Sequence, residues 1–145
     1  MTLVVDASVV VKWFVEEDLA DEAETLASRP GPLYAPDLVV SEVTNVAWSK
    51  YTRGAITRGQ AEFIVLSISH SPLRFMPVLS FHQRGLEIAI ELRHSVYDCL
   101  YLACAERVGG RLVTADRAFL NKVKASVFAD LTAYLPDWVA EQGGP

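Results

Sequence analysis

The chain has little of what marks a thiolate metalloprotein, a secreted protein or a membrane protein. Cysteine occurs twice, as Cys99 and Cys104. Five residues along one expected helix turn the two thiols by about 500°, so they neither bridge nor chelate as a pair. They read as small buried hydrophobes. His70, His82 and His94 stand at no ligand spacing from one another or from the cysteines, which argues against a zinc site. Long apolar runs are missing too: LVVDASVVVKWFV is broken by Asp6 and Lys12 and falls short of a membrane span. No basic segment leads into an apolar stretch and a small-residue cleavage site, so a cytoplasmic protein without membrane association is expected. Positive charge is short, with 13 Lys and Arg against 18 Asp and Glu. The net charge of −5 is the wrong overall sign for a nucleic-acid binder. An acidic protein still acts on phosphodiesters if its acids gather where a divalent metal covers them. Repeats, low-complexity tracts and Gly/Ser linkers are also absent, and 145 residues suit one domain, 1–145, with one substantial core.

What is present is an alternation of strand and helix signals. LVV at 3–5 is a short apolar run ending at Asp6, as a buried parallel strand would be. From Ala7 the pattern turns helical, then acidic, until RPGP at 29–32 breaks it. LYA is a second short strand, and Pro36-Asp37 opens a helix to about Arg53, closed by Gly54. Thr57 with Gln60 is a capping-box signature for the next helix. LRFMPV reads as a strand, SFHQRGLEIAIELRH as an amphipathic helix, and Ser95 onward as a helix ending at Gly109-Gly110. RLVTA is then a buried strand stopping at Asp116, followed by a helix around AFLNKV, a short strand at VFA and a turn at PDWVAEQ. Alternating strands and helices mean βαβ units, hence an α/β protein with helices on both faces of a short parallel sheet.

In such sheets, sites form beyond the carboxyl ends of the strands. Asp6 and Asp116 each close a strand, Asp98 lies in the first turn of a helix, and Glu42 lies about one turn into the helix after LYA. Each has an ordinary explanation. Asp6 and Asp116 suit helix N-caps, and Ser95 with Asp98 suits a capping box. Glu42 suits an exposed helical position, although Val39, Val43 and Val46 make its face apolar. If the two strands are adjacent and central, all four acids instead meet at one sheet edge. Two carboxylates about 5 Å apart at an effective dielectric near 20 repel by roughly 3 kcal/mol. Four such groups take up protons or require a cation, and oxygen-only ligation selects Mg²⁺ or Mn²⁺.

VVDASVVVKWF, SEVTNVAW, VYDCLYLA and LVTADRAF, in this order, resemble the four acidic motifs of PIN-domain ribonucleases, and most closely the VapC-type toxins of type II toxin–antitoxin systems. The resemblance implies a three-layer α/β/α sandwich and a metal-dependent endoribonuclease. It implies that Asp6, Glu42, Asp98 and Asp116 surround Mg²⁺ or Mn²⁺, with Thr114 bonding a carboxylate or bound water. Asn45, one turn beyond Glu42, would orient that acid. It also implies an RNA substrate, a homodimer, and a small VapB-like antitoxin that blocks the site. Arg117 stands where a fifth acid would follow Asp116. Lys12, Lys50, Arg53, Arg58 and Arg117 are cations that could meet RNA, Lys12 and Arg117 lying nearest the acidic edge. Trp13, Phe14 and Trp48 suit base stacking or core packing. Other readings fit less well. A haloacid-dehalogenase phosphatase needs an Asp where Ser8 stands, and a receiver domain needs paired early acids and a late lysine. A non-toxin RNA-processing nuclease and a catalytically silent scaffold of the same fold remain alternatives.

Overall fold

A computed structural model describes residues 1–143; the last two residues of the expected 1–145 domain lie outside it. Its centre is a five-stranded, all-parallel sheet. The strands are β1 (Leu3–Val5), β2 (Leu33–Pro36), β3 (Arg74–Met76), β4 (Arg111–Thr114) and β5 (Thr132–Tyr134), in the order β3-β2-β1-β4-β5. The helices are α1 (Ala7–Val10), α2 (Ala20–Ala27), α3 (Leu38–Thr52), α4 (Arg58–Ser67), α5 (His82–Leu92), α6 (Val96–Val108), α7 (Arg117–Lys124) and α8 (Leu135–Gln142). They flank the sheet in an α/β/α sandwich.

The two strands that end in acids are the buried centre of this sheet. β1 is apolar throughout because both its faces are covered, and β4 keeps Leu112 and Val113 fully buried beside it. Their register pairs Leu3 with Arg111 and Val5 with Val113. The next residues along, Asp6 and Thr114, therefore emerge side by side. Parallel pairing with a fixed register converts a sequence separation of 108 residues into a direct contact.

Local signals were kept at most boundaries. Thr57 and Gln60 form the reciprocal capping box at the start of α4. Gly109 ends α6 at φ +66°, a left-handed position that glycine adopts without a Cβ penalty. Three expectations are corrected. The helical stretch after Ala7 is interrupted: α1 passes into a 3₁₀ turn at Val11–Trp13, and α2 starts only at Ala20, after Leu19 in the left-handed region at φ +68°. The strand expected at VFA lies farther on, at Thr132–Tyr134. Val127 is exposed while Phe128 is buried and its N–H is held by Ser126 Oγ, so this stretch folds as a turn. The turn expected at PDWVAEQ is α8, with Pro136 in its first turn and Leu135 and Trp138 buried.

Candidate active site

Asp6 leaves β1 at the foot of α1 but its carboxylate does not cap that helix. It is buried and faces the end of β4. Ser8 Oγ donates to its Oδ1 and Thr114 Oγ1 to its Oδ2, both at 2.5 Å. The two hydroxyls are themselves held, since Ala115 N–H donates to Ser8 Oγ at 3.1 Å and Asp116 N–H to Thr114 Oγ1 at 3.0 Å. Burial pushes the Asp6 carboxyl up to about 6, and the charge of Asp98 adds to the rise. The two hydroxyl donors pull the other way without cancelling it.

Glu42 sits half-buried on α3 and accepts a hydrogen bond from the Tyr101 hydroxyl. Burial raises its pKa, Tyr101 lowers it, and the charge of Asp98 raises it again. Asp98, in the first turn of α6, accepts from His94 Nε2 at 2.6 Å. The capping-box reading of Ser95 and Asp98 is thereby corrected: Ser95 caps α6 through Tyr97 N–H, while the Asp98 carboxylate turns to His94. Asp116 does cap its helix, accepting from Phe119 N–H at 3.0 Å.

Asp6, Glu42 and Asp98 thus form one electrostatic group, with Asp98 acting on both of the others and Tyr101 lying among all three. Asp116 adjoins it through its backbone N–H on Thr114. Each carboxylate is turned to its own hydrogen-bond partner, and among the described residues no three His, Cys, Asp or Glu side chains already stand at ligating positions. The donor set is carboxylate oxygen with two hydroxyls, and the charge of Asp98 raises the pKa values of Asp6 and Glu42. Such a group fits a hard dication that relieves the repulsion.

Other singled-out residues fall as follows. Asn45 is exposed, and the bond to Glu42 comes from Tyr101. Lys12 and Lys50 both pair with Glu17, at 3.1 and 2.8 Å. Arg117 lies over the Tyr134 ring at 5.4 Å, Arg58 pairs with Glu62, and Arg53 bonds the Ser49 carbonyl. Trp13 donates its indole N–H to the Ala23 carbonyl and packs edge-on to Phe14, whereas Trp48 is exposed. Cys99 and Cys104 are unpaired and buried, and burial pushes their thiols up to about 11 and 12.

Sequence reasoning missed Ser8, Tyr101 and His94 as partners of the acids. Two of them lie close to Asp98 in sequence: Tyr101 is three residues on along α6, and His94 is four residues before it, in the bend that precedes the helix.

The sequence pattern of the PIN domain matches residues 3–125. Ribonuclease VapC3 from Pyrobaculum aerophilum is 33% identical over 133 residues, 88% of this chain and 98% of the relative. The crystal structure of PAE2754 from Pyrobaculum aerophilum superposes with a TM-score of 0.69 at 20% identity, covering 97% of this chain and 88% of that one. A toxin–antitoxin complex from Klebsiella pneumoniae superposes with a TM-score of 0.66 at 13% identity, covering 92% of this chain and 97% of that one.

Proposed function

This chain belongs to the PIN domain family, and we propose on that premise that it is a dication-dependent endoribonuclease, the toxin of a toxin–antitoxin pair. The observation that carries the reading is the buried Asp6 carboxylate, held by two hydroxyls and raised to about 6 beside the charge of Asp98. A carboxylate kept in that position without a cation is a liability, and a dication removes it.

Asp6, Asp98 and Glu42 would hold Mg²⁺ or Mn²⁺, with Asp116 beside them. When bound, the ion supplies Lewis acidity toward a phosphodiester and acidifies the attacking water. The chain's own residues prepare the place. Ser8 and Thr114 fix both oxygens of Asp6, Tyr101 aims Glu42, and the cap at Asp116 sets the direction of α7. Among the cations, Arg117 follows directly on Asp116 and is the nearest in sequence for an RNA phosphate; Lys12 must first leave Glu17. The negative net charge is compatible with RNA because an ion at the acids reverses the local sign.

A relative named a ribonuclease, matched along 98% of its length, supports the nuclease. The toxin assignment is supported by fold neighbours solved as toxin–antitoxin complexes, and it gives the protein a small antitoxin as partner. Among the described residues no helix is long and apolar enough to cross a membrane. The test is digestion of RNA by the purified protein with Mg²⁺, with EDTA, and by Asp98→Asn. Cleavage that stops with EDTA and in the variant supports the reading. Cleavage that continues in either overturns it.

A further inference from the structure

We propose that His94 is a positioning residue that holds Asp98 and Asp116 at a fixed separation through a brace made with Phe119. The inference rests on the reading above, in which both acids serve one dication.

The brace has two arms. On one side, His94 Nε2 reaches Asp98 Oδ2 at 2.6 Å. A carboxylate only accepts, so Nε2 carries the hydrogen and the imidazole is the donor. That bond occupies one oxygen of Asp98 and leaves Oδ1 for a ligand. On the other side, the His94 ring lies against the Phe119 ring, centroids 5.0 Å apart and planes tilted by 34°. Phe119 is itself tied to the second acid, because its N–H donates to Asp116 Oδ1 at 3.0 Å. The path Asp98–His94–Phe119–Asp116 therefore runs through two hydrogen bonds and one ring contact, linking the starts of α6 and α7.

The surroundings fix the imidazole. Arg93 ends α5 in the left-handed region at φ +55°, a conformation that costs a side-chain-bearing residue energy and is held where neighbours determine it. His94 N–H is bonded to the Ala89 carbonyl, and Lys122 of α7 donates to the Arg93 carbonyl. Phe119 is buried in the core. The turn carrying His94 is thus fastened to α5 behind it and to α7 beside it. An acid with one oxygen held is pre-aimed, and removing such a partner from a metal ligand typically weakens metal affinity 10- to 100-fold.

Two variants separate donation from packing. His94→Phe keeps an aromatic ring against Phe119 and removes the donor. His94→Gln keeps a donor nitrogen near the Nε2 position. Mn²⁺ binding is read by electron paramagnetic resonance on the purified full chain, with thermal melting in EDTA as the control for folding. The parent is expected to bind Mn²⁺, His94→Phe to bind it about 10- to 100-fold more weakly at an unchanged metal-free melting temperature, and His94→Gln, which keeps the donor but loses the ring contact with Phe119, to bind it more weakly than the parent by a smaller factor. Equal affinity in His94→Phe and parent overturns the brace while leaving the proposed function standing. Failure of the parent to bind Mn²⁺ overturns the proposed function and the brace with it. Parental affinity in His94→Gln also overturns it, because the ring contact with Phe119 is then not part of what holds Asp98.

Discussion

Tyr101 on α6 donates its hydroxyl hydrogen to Glu42 on α3, joining residues 59 apart in sequence at 2.5 Å. The phenol is almost wholly buried. Burial and the neighbouring carboxylates push its own pKa far above the ordinary tyrosine range, so it stays a donor at any physiological pH. Glu42 thereby gains the one bond that opposes its desolvation.

Tyr101→Phe deletes that oxygen while keeping the ring and its packing. The expected cost is about 1–2 kcal/mol, as for a lost hydrogen bond to an acid with partial access to water. The Glu42 pKa should climb further, because its lowering contact is gone while burial and Asp98 remain. Urea unfolding and carboxyl-resolved NMR titration check the two effects. A Glu42 pKa that falls in the variant contradicts the assignment.

Asp6 makes stability depend on pH with a definite sign. Its folded pKa of about 6 lies above the unfolded value of 3.8. The folded state therefore binds more protons between those values, and stability present below about pH 4 is lost as pH rises through 6. The full effect is on the order of 2–3 kcal/mol. In EDTA, Asp6→Asn should be more stable than the parent at pH 7, and the gap should close toward pH 4. Saturating Mg²⁺ should restore the parent and not the variant. A gap independent of pH sinks the prediction.

Thr114 serves both neighbouring acids, donating to Asp6 and accepting the N–H of Asp116. Thr114→Val matches the shape and removes both bonds, leaving a backbone donor and a buried carboxylate short of partners. The expected loss is about 1–3 kcal/mol, whereas Thr114→Ser retains the hydroxyl and most of the stability. Denaturation midpoints of the two variants decide it; equal losses would place the effect in the methyl group.

The strand-end acids were legible because periodicity marks where an apolar run stops, and an α/β sheet puts such ends together. Asp6 and Asp116 followed from that rule, and adjacency of β1 and β4 supplied the contact. Hydrogen-bond partners were less legible. Ser95-x-x-Asp98 carries a capping-box pattern, but the Asp98 carboxylate bonds His94 while Ser95 caps through Tyr97 N–H, and nothing in linear spacing ranks the two. Asn45, one turn along α3, is the partner the sequence offers Glu42; Tyr101 reaches it from α6 across 59 residues, a tertiary contact that local spacing does not reveal. The strand at VFA was misplaced because local apolar character does not reveal that Phe128 packs from a turn while the pairing falls to Thr132–Tyr134.

Gly109 and Gly110 look interchangeable as a helix stop, yet they answer to different constraints. Gly109 is left-handed, and a Cβ there meets open space. Gly109→Ala should therefore cost only the strain of that conformation, about 1 kcal/mol. At Gly110 a Cβ would lie 2.4 Å from the Thr2 carbonyl oxygen and 2.9 Å from its carbon. These are backbone atoms at the entry to β1, where Arg111 N–H bonds the same Thr2 carbonyl at 3.3 Å. No side chain can rotate out of the way, so the two strand entries must separate. Gly110→Ala should lose about 1–3 kcal/mol as an overpacked contact, more than Gly109→Ala. Because the β1–β4 register is what brings Thr114 to Asp6, Gly110→Ala should also weaken Mn²⁺ binding, an effect Gly109→Ala should not share. Thermal melting and Mn²⁺ titration of the pair check both orders, and a Gly110→Ala protein with parental stability would show that the strand ends are free to shift.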